Sequence, residues 1–207
     1  MSIVQLRGYP KTVRIKDGSE ITLRPMTAGD RDGVLAFFRA LPEDDRMFLK
    51  HDVTHPEVVD RWVAGLDYEQ VVPILAIRDD RVIADGTLHL NLHGWTRHIG
   101  DIRIVVARDH QGLGVGTQMA RELVGLAQQR GLEKLQAEVV EDAMGAIVMF
   151  QKLGFRIEVV RRQHVLDLKG QHRNLVILVN NVEELWGKME DLIQDTLAGG
   201  HRRDVAG

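Results

Sequence analysis

The sequence predicts an α/β fold built on a mixed β-sheet. The predicted elements follow the order strand, two or three helices, several strands, helix, strand, helix and two strands. A glycine-rich turn lies between a strand and a helix near the middle of that order. A length of 207 residues, with 44% hydrophobic and 28% charged residues, suits one domain with its own core and an appended helix.

Turn signals and apolar periodicity define the elements of the N-terminal half. Alternating residues on either side of Asp17-Gly18 predict a β-hairpin over residues 12–24. Thr27 or Asp30 is placed to cap a helix that runs to residue 39. The further predicted elements are a helical stretch from residue 42, a helix over 56–66, and strands over 71–78 and 82–90 joined by a turn at Asp79-Asp80.

The C-terminal half places strands and helices on both sides of the glycine-rich turn. Residues 101–106 predict a strand, and Met119, Leu123 and Ala127 share one face of a helix that Gly131 caps. The remaining predicted elements are a strand over 132–140, a helix over 142–153, strands over 155–166 and 175–179, and an amphipathic helix over 182–197. We therefore divide the chain into a main domain (1–180), a C-terminal helix (181–198) and a flexible tail (199–207).

Composition excludes several classes of protein. There is no cysteine, and hence no disulfide framework, no thiolate metal site and no cysteine nucleophile. A net charge of −3 with 5% aromatic residues provides no general attraction or stacking surface for nucleic acid. No apolar run approaches the ~18 residues of a membrane span, and the N-terminus lacks the apolar region of a signal peptide. We expect a cytoplasmic protein.

The glycine-rich turn has glycine at every second position, at Gly112, Gly114 and Gly116. Glycine lets the backbone take positive φ and leaves no Cβ in the way of a ligand. Successive N–H groups then point into one concavity at a helix N-terminus, a geometry that binds phosphate oxygens. The turn therefore predicts a phosphate or pyrophosphate cradle.

Other interpretations of the turn compete with this one. A dinucleotide fingerprint needs G-x-G-x-x-G, whereas the spacing here is G-x-G-x-G, and Glu138 lies inside its strand rather than at the end. A P-loop needs Gly-Lys-Ser/Thr, which is missing. A tight strand-to-helix turn without a ligand stays open on the spacing alone.

The residues around the turn match a family pattern. Gln111-x-x-Gly114-x-Gly116 resembles the Q/R-x-x-G-x-G/A acyl-CoA signature of GNAT acetyltransferases, and residues 146–155 resemble the A-I-x-x-Y-x-K-L-G-F helix end of that family. The likeness covers residues 12–180 and is most specific in 100–155. Leu23-Arg24-Pro25-Met26 and Gly100-Asp101-Ile102 are most similar to bacterial protein-lysine acetyltransferases and to GNAT domains fused to acyl-CoA synthetases.

The resemblance implies a GNAT fold, with a mixed, mostly antiparallel sheet that splays at the central strand, after Val106, and acetyl-CoA as co-substrate. Backbone amides of the turn would hold the pyrophosphate, and the edge of strand 102–106 would hydrogen-bond the pantetheine arm. An N–H near Val106 would polarise the thioester carbonyl. The acceptor would be an amine, either a small molecule or a protein lysine, that attacks directly in a ternary complex. The implied cofactor contacts are Ile104, Val105, Val106, Gln111, Gly112, Leu113, Gly114, Val115, Gly116, Thr117 and Phe150.

Two residues depart from the family pattern. Phe150 stands where the family often has a tyrosine that protonates the departing thiolate, and Ala143 stands where it often has an asparagine. A thiolate with a pKa of about 8.5 needs little help from an acid, so neither change excludes catalysis. The alternative hypothesis is a catalytically weak or silent acyl-CoA-binding module that senses CoA or assembles with a partner.

Two carboxylates are candidates for the base that an amine acceptor needs, because the amine is mostly ammonium at pH 7. The resemblance places Asp101 where the family often has a glutamate, and the shorter side chain implies a bridging water. The alternative is a structural ion pair with Arg97 or Arg103. Glu138 on the neighbouring strand is the second candidate, and its alternative is a salt-bridged or solvated strand residue.

Histidines are concentrated around Trp95, at His89, His93 and His98. They fall on a strand end and a loop, without the tight spacing of a zinc site, so we predict no metal. We expect them to be exposed or to shape the acceptor pocket. The apolar side of the last helix is expected to pack on its own sheet, with a homodimer contact as the alternative.

Overall fold

The structure is a computed structural model in which residues 8–46, 49 and 51–188 are described. The strands are β1 Lys11–Arg14, β2 Glu20–Pro25, β3 Val71–Arg78, β4 Arg81–Leu90, β5 Ile99–Val106, β6 Lys134–Val140, β7 Arg156–Leu166 and β8 His172–Asn181. The helices are α1 Arg31–Ala40, α2 Glu43–Arg46, α3 Pro56–Ala64, α4 Val115–Gln129 and α5 Met144–Lys152. A further helix, α6, is described over residues 182–188.

The strands form one sheet in the order β1-β2-β3-β4-β5-β6-β8-β7. β5 and β6 pair in parallel, because α4 carries the chain back between them. The other neighbouring pairs are antiparallel. This arrangement confirms the predicted α/β fold with a mixed, mostly antiparallel sheet.

Tight turns set the register of the hairpins where the sequence predicts them. In the β1–β2 turn, the Ile15 N–H donates to the Ser19 carbonyl at 2.9 Å. In the β3–β4 turn, Asp79 and Asp80 have φ angles of 49° and 60°. Two successive left-handed residues are typical of a type I′ turn, whose twist matches that of the flanking strands.

Helices flank the sheet and bury two hydrophobic cores. The larger core includes Met119 and Leu123 of α4 together with residues of α5 and Leu185 of α6. The smaller core lies between the sheet and helices α1 and α3, and it includes Phe38 and Val59. Helices α1, α3, α4 and α5 thus bury apolar residues in these two cores, which is the pattern that their periodicity predicts.

The strand β8 is longer than predicted. β8 begins at His172, three residues before the predicted strand over 175–179. Its first residues are polar, and they join the strand because β8 pairs with β7 on one side and β6 on the other. α6 starts at residue 182 as predicted. The rest of that predicted helix and the predicted tail lie outside the described residues.

The sheet opens between β5 and β6. Their parallel pairing covers Ile99↔Lys134, Gly100↔Leu135 and Asp101↔Gln136 and then ends. The prediction of a splay after Val106 is therefore wrong in position, because the separation begins five residues earlier. Each strand keeps its antiparallel partner beyond that point, β5 with β4 to Val106 and β6 with β8 to Val140. The two halves of the sheet diverge because each follows its own partner.

Candidate active site

The glycine-rich turn connects the end of β5 to the start of α4. A 3-10 turn, Arg108–His110, follows β5 and leads into it. Gly112 and Gly114 have φ angles of 77° and 88°, which residues with a Cβ rarely adopt. Gly114 is the N-cap of α4. The chain needs glycine at both positions to turn directly into the helix.

The first turn of α4 directs backbone amides at the turn. The first bond of the α4 ladder runs from the Gln118 N–H to the Gly114 carbonyl at 3.0 Å, so the amides of residues 115–117 precede it. The helix N-terminus also carries partial positive charge. A Cβ at Gly116 would lie 2.7 Å from the Met149 sulfur, so glycine there lets α5 approach closely. These features fit the oxygens of a pyrophosphate.

Two residues outside the glycines brace the turn. The Gln111 side-chain amide donates to the Val106 carbonyl at 3.2 Å and ties the turn to the end of β5. Lys16, in the β1–β2 turn, donates its backbone N–H to the Leu113 carbonyl at 3.0 Å. The Lys16 Cγ lies 3.5 Å from where a Cβ on Gly114 would be, and the side chain is exposed. The N-terminal hairpin thus brings a cation beside the cradle, and the sequence pattern did not single it out.

The slot between β5 and β6 runs from the turn toward Asp101. Beyond Asp101, the side of β5 that faces β6 has no strand partner in the described part of the chain. Ile104, Val105 and Val106 are half-buried along this segment. A strand edge with free N–H and C=O groups can hydrogen-bond an extended amide chain as an added strand. The geometry suits the predicted pantetheine contacts.

Phe150 lies in the core formed by α5. Its side chain is 3% exposed, and its ring packs edge to face on Phe155 with the ring centroids 5.2 Å apart. Ala143, the other departure from the family pattern, is the N-cap of α5. The burial of Phe150 favours a packing role, and its contact with the cofactor stays a prediction.

A cavity of about 280 Å³ lies beneath α1 and α3, on the face of β4 and β5 opposite α4. Its walls are mostly apolar and include Phe38 and Trp62, whose rings meet edge to face with centroids 5.6 Å apart. Its floor consists of polar side chains of β4 and β5, namely Asp85, Thr87, His89 and Arg103. Charged and titratable side chains elsewhere on its lining are His51, Arg61 and Asp67.

Strand pairing aligns the polar floor with the slot. Residues directly opposite in an antiparallel pair share one face of the sheet. The opposing pairs are His89–Asp101, Thr87–Arg103 and Asp85–Val105. The segment of β5 over 103–105 therefore contributes its side chains to the cavity and its backbone edge to the slot.

Arg103 is surrounded by carboxylates. Burial lowers its pKa, and the charges of Asp101, Glu138 and Asp85 act in the opposite direction. Its Nε is buried and has no hydrogen-bond partner among the residues that the structure describes. Buried donors without a partner are uncommon in folded proteins, and they concentrate at functional sites and at sites of bound water.

The structure brings the two predicted bases together on neighbouring strands. Asp101 accepts a hydrogen bond from the side-chain amide of Gln136, which lies opposite it on β6. The charges of Asp101 and Glu138 both act on Arg103. Neither is among the described residues that line the cavity. Their roles as bases stay predictions.

Asp85 is a site residue that the sequence pattern did not single out. It lies between Ala84 and Gly86 in the middle of β4. Burial raises the pKa of Asp85 to about 7, and the nearby charge of Arg103 opposes that rise. A single acidic residue at the centre of an apolar strand was the available signal, because carboxylates are seldom buried without a partner.

The predicted histidine cluster is divided in the structure. His89 lies on the cavity floor, whereas His98 lines a separate open cavity with Arg97 and Arg130 near the C-terminal end of α4. Trp95 is 94% exposed. Over residues 8–46, 49 and 51–188, no group of three His, Asp or Glu side chains is arranged to hold a metal ion. No helix in the same ranges is long and apolar enough to cross a bilayer.

The chain belongs to the GNAT family of acetyltransferases, because the model of the "Acetyltransferase (GNAT) family" matches residues 35–155, more than half of its length. The matched segment contains the cradle, the slot and the polar floor of the cavity. The fold and the site therefore define the chain as a member of a family of acetyltransferases.

Solved structures and one curated relative show the same likeness. The GNAT domain of S. lividans PAT has a TM-score of 0.67 at 19% identity and covers 83% of this chain and 96% of its own. The yncA protein of Salmonella typhimurium, solved with its cofactor acetyl-CoA, has a TM-score of 0.67 at 15% identity and covers 79% and 95%. At these identities the likeness concerns the fold. The uncharacterized N-acetyltransferase YobR of Bacillus subtilis (strain 168) is 38% identical over 52 residues, which span 25% of this chain and only 21% of YobR.

Proposed function

We propose that this protein transfers an acetyl group from acetyl-CoA directly to a primary amine while both substrates are bound. The observation that carries the proposal is the double use of β5. Its backbone edge beyond Asp101 is open toward the slot, and the side chains of Arg103 and Val105 form part of the cavity on one face. A thioester in the slot and an amine in the cavity would therefore meet at the segment of β5 over residues 103–105.

The cofactor would be held mainly by backbone groups. Amides of the turn and of residues 115–117 would face the pyrophosphate; the hydrogen bond from the Gln118 N–H to the Gly114 carbonyl, which starts the helix ladder after them, supports this. The free edge of β5 would bind the pantetheine amides, and a backbone N–H near Val106 would polarise the thioester carbonyl. Residues 104–106 and 111–117 would be the contacts.

Direct attack is consistent with the side chains available. The chain has no cysteine, so no thiol can carry the acetyl group between the substrates. Phe150 offers no proton to the departing thiolate, but a thiolate of pKa about 8.5 is a good leaving group at neutral pH. The reaction needs an orienting site and a base for the amine more than it needs an acid.

The shape of the cavity supports an acceptor amine at the end of an apolar arm. The walls are lined largely by apolar and aromatic side chains, and the polar groups are gathered on the floor. A protein lysine, with four methylene groups before its amine, is one acceptor of this kind. Small aliphatic and arylalkyl amines are the other kind. A cytoplasmic protein would encounter both kinds of acceptor.

Two-substrate kinetics test the proposal. We would measure thiol release from acetyl-CoA with a panel of Nα-acetyl-lysine amide, hexylamine and 2-phenylethylamine. Intersecting double-reciprocal plots are expected for a ternary complex, and mass spectrometry of the protein with acetyl-CoA alone should show no acetyl-enzyme. Parallel plots with an acetylated protein intermediate would contradict direct attack. Binding of acetyl-CoA without turnover of any amine would instead support a silent acyl-CoA-binding module.

A further inference from the structure

Asp85, which is half-buried at the cavity, differs from two other carboxylates that are buried or half-buried, Asp30 and Asp167. The Asp30 carboxylate pairs with Arg24 and accepts from the Thr27 amide, and the Asp167 carboxylate pairs with Arg173 and accepts from two backbone amides. Those contacts hold the pKa of both groups below the ordinary aspartate value. The Asp85 carboxylate has no such hydrogen bonds among the described residues, although it lies on a strand whose neighbours Ala84 and Gly86 are buried.

Charged and titratable side chains share the cavity with Asp85 on several of the elements that line it. On the sheet, Arg103 and His89 line the same cavity floor, and the helical side contributes His51, Arg61 and Asp67. The described lining residues of α1 are apolar. Arg103 alone has a resolved effect on the pKa of Asp85, and burial outweighs it. A carboxylate that titrates near 7 is suited to accept a proton at neutral pH.

Register places Asp85 close to the expected thioester. Asp85 pairs with Val105 across β4 and β5. Side chains in directly opposing positions lie about 4.5 to 5.5 Å apart at Cβ. Val105 lies in the part of β5 that has lost its pairing with β6, so its backbone borders the slot. Asp101, by contrast, is the last residue of β5 that still pairs with β6, and it is absent from the described cavity lining.

We propose that Asp85 is the catalytic base, which takes the proton from an acceptor ammonium that enters through the cavity beneath α1 and α3. The inference rests on the proposed function, since it assigns the base and the acceptor route of the same transfer. It replaces the position-based assignment to Asp101 with one based on the cavity. Asp101 and Glu138 become positioning residues that act through Arg103.

The proposed steps balance in protons and electrons. The ammonium gives one proton to the Asp85 carboxylate, and the neutral amine attacks the thioester carbonyl carbon with its lone pair. A C–N bond forms, the C–S bond breaks, and CoA leaves as the thiolate. The thiolate then takes the second proton from the new amide nitrogen. The products are the N-acetylamine and CoA thiol, and Asp85 releases its proton to solvent.

The same geometry defines the acceptor class as primary amines on an apolar arm. An ammonium is attracted to the Asp85 carboxylate on the floor, because the charges of Asp101 and Glu138 nearby offset the positive charge of Arg103. The apolar walls accept the arm that carries the amine. An acceptor carboxylate beside the amine would add a further negative charge to this floor, so we expect α-amino acids to be poor acceptors.

Titration of Asp85 tests the inference without any acceptor. Carboxyl carbon NMR of the full chain, with ¹³C-labelled aspartate, should show one signal that titrates near pH 7 and is lost in Asp85→Asn. A signal lost in Asp85→Asn that titrates in the ordinary aspartate range would overturn the proposal. Asp101→Asn serves as the matched control, since it should leave that signal in place.

Kinetics separate the base from the transfer reaction itself. With 2-phenylethylamine, Asp85→Asn should lower kcat/KM about 100-fold or more and abolish its rise with pH near 7, with unchanged affinity for acetyl-CoA. With 2,2,2-trifluoroethylamine, which is unprotonated at neutral pH, the loss should be much smaller. If wild-type protein acetylates amines and Asp85→Asn does so equally well, the base assignment is wrong and the proposed function stands. If wild-type protein acetylates no amine of the panel, both fail together.

Discussion

The two sides of β5 are built in different ways. On the edge that faces β6, the proposed cofactor side offers backbone groups of a contiguous segment, from Ile104 to Thr117, and its special residues are glycines. On the face beneath α1 and α3, the proposed acceptor side offers side chains from β4, β5 and the helical segments, which are distant in sequence. A cradle of amides is specified locally, whereas a cavity with a charged floor exists only after the chain has folded.

The two sides also differ in how they affect the stability of the folded protein. The cradle needs positive φ at Gly112 and Gly114, which glycine adopts without strain. The acceptor side keeps a poorly partnered carboxylate in a low-dielectric position, which destabilises the folded state when that group is ionised. The difference suggests that substitutions on the cofactor side will abolish binding, and that substitutions at Asp85 will trade activity against stability.

The largest effect is expected from Gly114→Asp. The side chain would require an aspartate at a φ of 88° and would place a carboxylate at the N-terminus of α4, against the phosphates. We expect acetyl-CoA affinity to fall by about 100-fold or more, because backbone geometry and charge are both lost. Isothermal titration calorimetry measures the change.

Gly131→Asp is the control for that substitution. Gly131 follows the other end of α4 with a φ of 68°, and no heavy atom lies within 4 Å of a Cβ built there. It imposes similar backbone strain away from the cradle. Equal loss of affinity in both variants would mean that general destabilisation, rather than the cradle, explains the effect.

The second effect concerns stability at Asp85. Its pKa is raised from 3.8 to about 7 on folding, so the folded state binds the proton more tightly than the unfolded state. The free energy of unfolding should therefore fall as the pH rises from about 4 to about 7, and Asp85→Asn should remove that loss. We expect Asp85→Asn to be more stable than wild type by at most about 4 kcal/mol at pH 8, and by little at pH 4.

Urea unfolding at the two pH values measures this difference. Asp142→Asn is the matched control, because Asp142 is exposed and pairs with Arg173 at the surface. If Asp85→Asn raises the free energy of unfolding equally at both pH values, Asp85 does not titrate between them. The gain would then be a packing effect of the asparagine.

The same difference explains why the sequence predicts the cofactor side more readily than the acceptor side. The glycine spacing predicts the cradle because Gly112 and Gly114 determine locally the path of the backbone into α4. The strand and helix limits follow from period and turn residues, with errors where polar residues extend a strand, as at His172 in β8. Asp85 could not be assigned because its environment depends on α1 and α3 covering β4.

The point where β5 and β6 separate could also not be predicted from the sequence. A strand pattern over 101–106 says nothing about where a parallel neighbour stops pairing. That point depends on the twist of two antiparallel halves, one around β4 and the other around β8. The same reasoning explains why Lys16 was missed, since only the fold brings the β1–β2 turn against Leu113.

A smaller effect is expected from Lys16→Ala, which would extend the cofactor side beyond the glycine turn. The Lys16 side chain packs beside Gly114 and carries a positive charge next to the phosphate position. We expect about 5-fold weaker binding of acetyl-CoA, with the difference shrinking at high salt, as for an exposed ion pair. Arg14→Ala on the same hairpin is the control, because its ion pair with Glu20 is exposed. Calorimetry at two salt concentrations measures the affinity for acetyl-CoA. Equal affinities of Lys16→Ala and wild type at low salt would contradict a contact between Lys16 and the phosphates.

The smallest effect is expected from Asp101→Asn and Glu138→Gln. Asp101 receives a hydrogen bond from Gln136, and an asparagine oxygen at that position can still accept it. Both substitutions remove a negative charge that acts on Arg103, so the cavity floor becomes less attractive to an ammonium. We expect kcat/KM for 2-phenylethylamine to fall by about 3-fold in each, far below the 100-fold or more typical of a lost base. The pH dependence near 7 should remain, because Asp85 is still present.

A 100-fold loss in Asp101→Asn that disappears with trifluoroethylamine would return the base to Asp101, the residue that the family pattern indicates. The cavity would then orient the acceptor, and the proton would leave on the side of the slot.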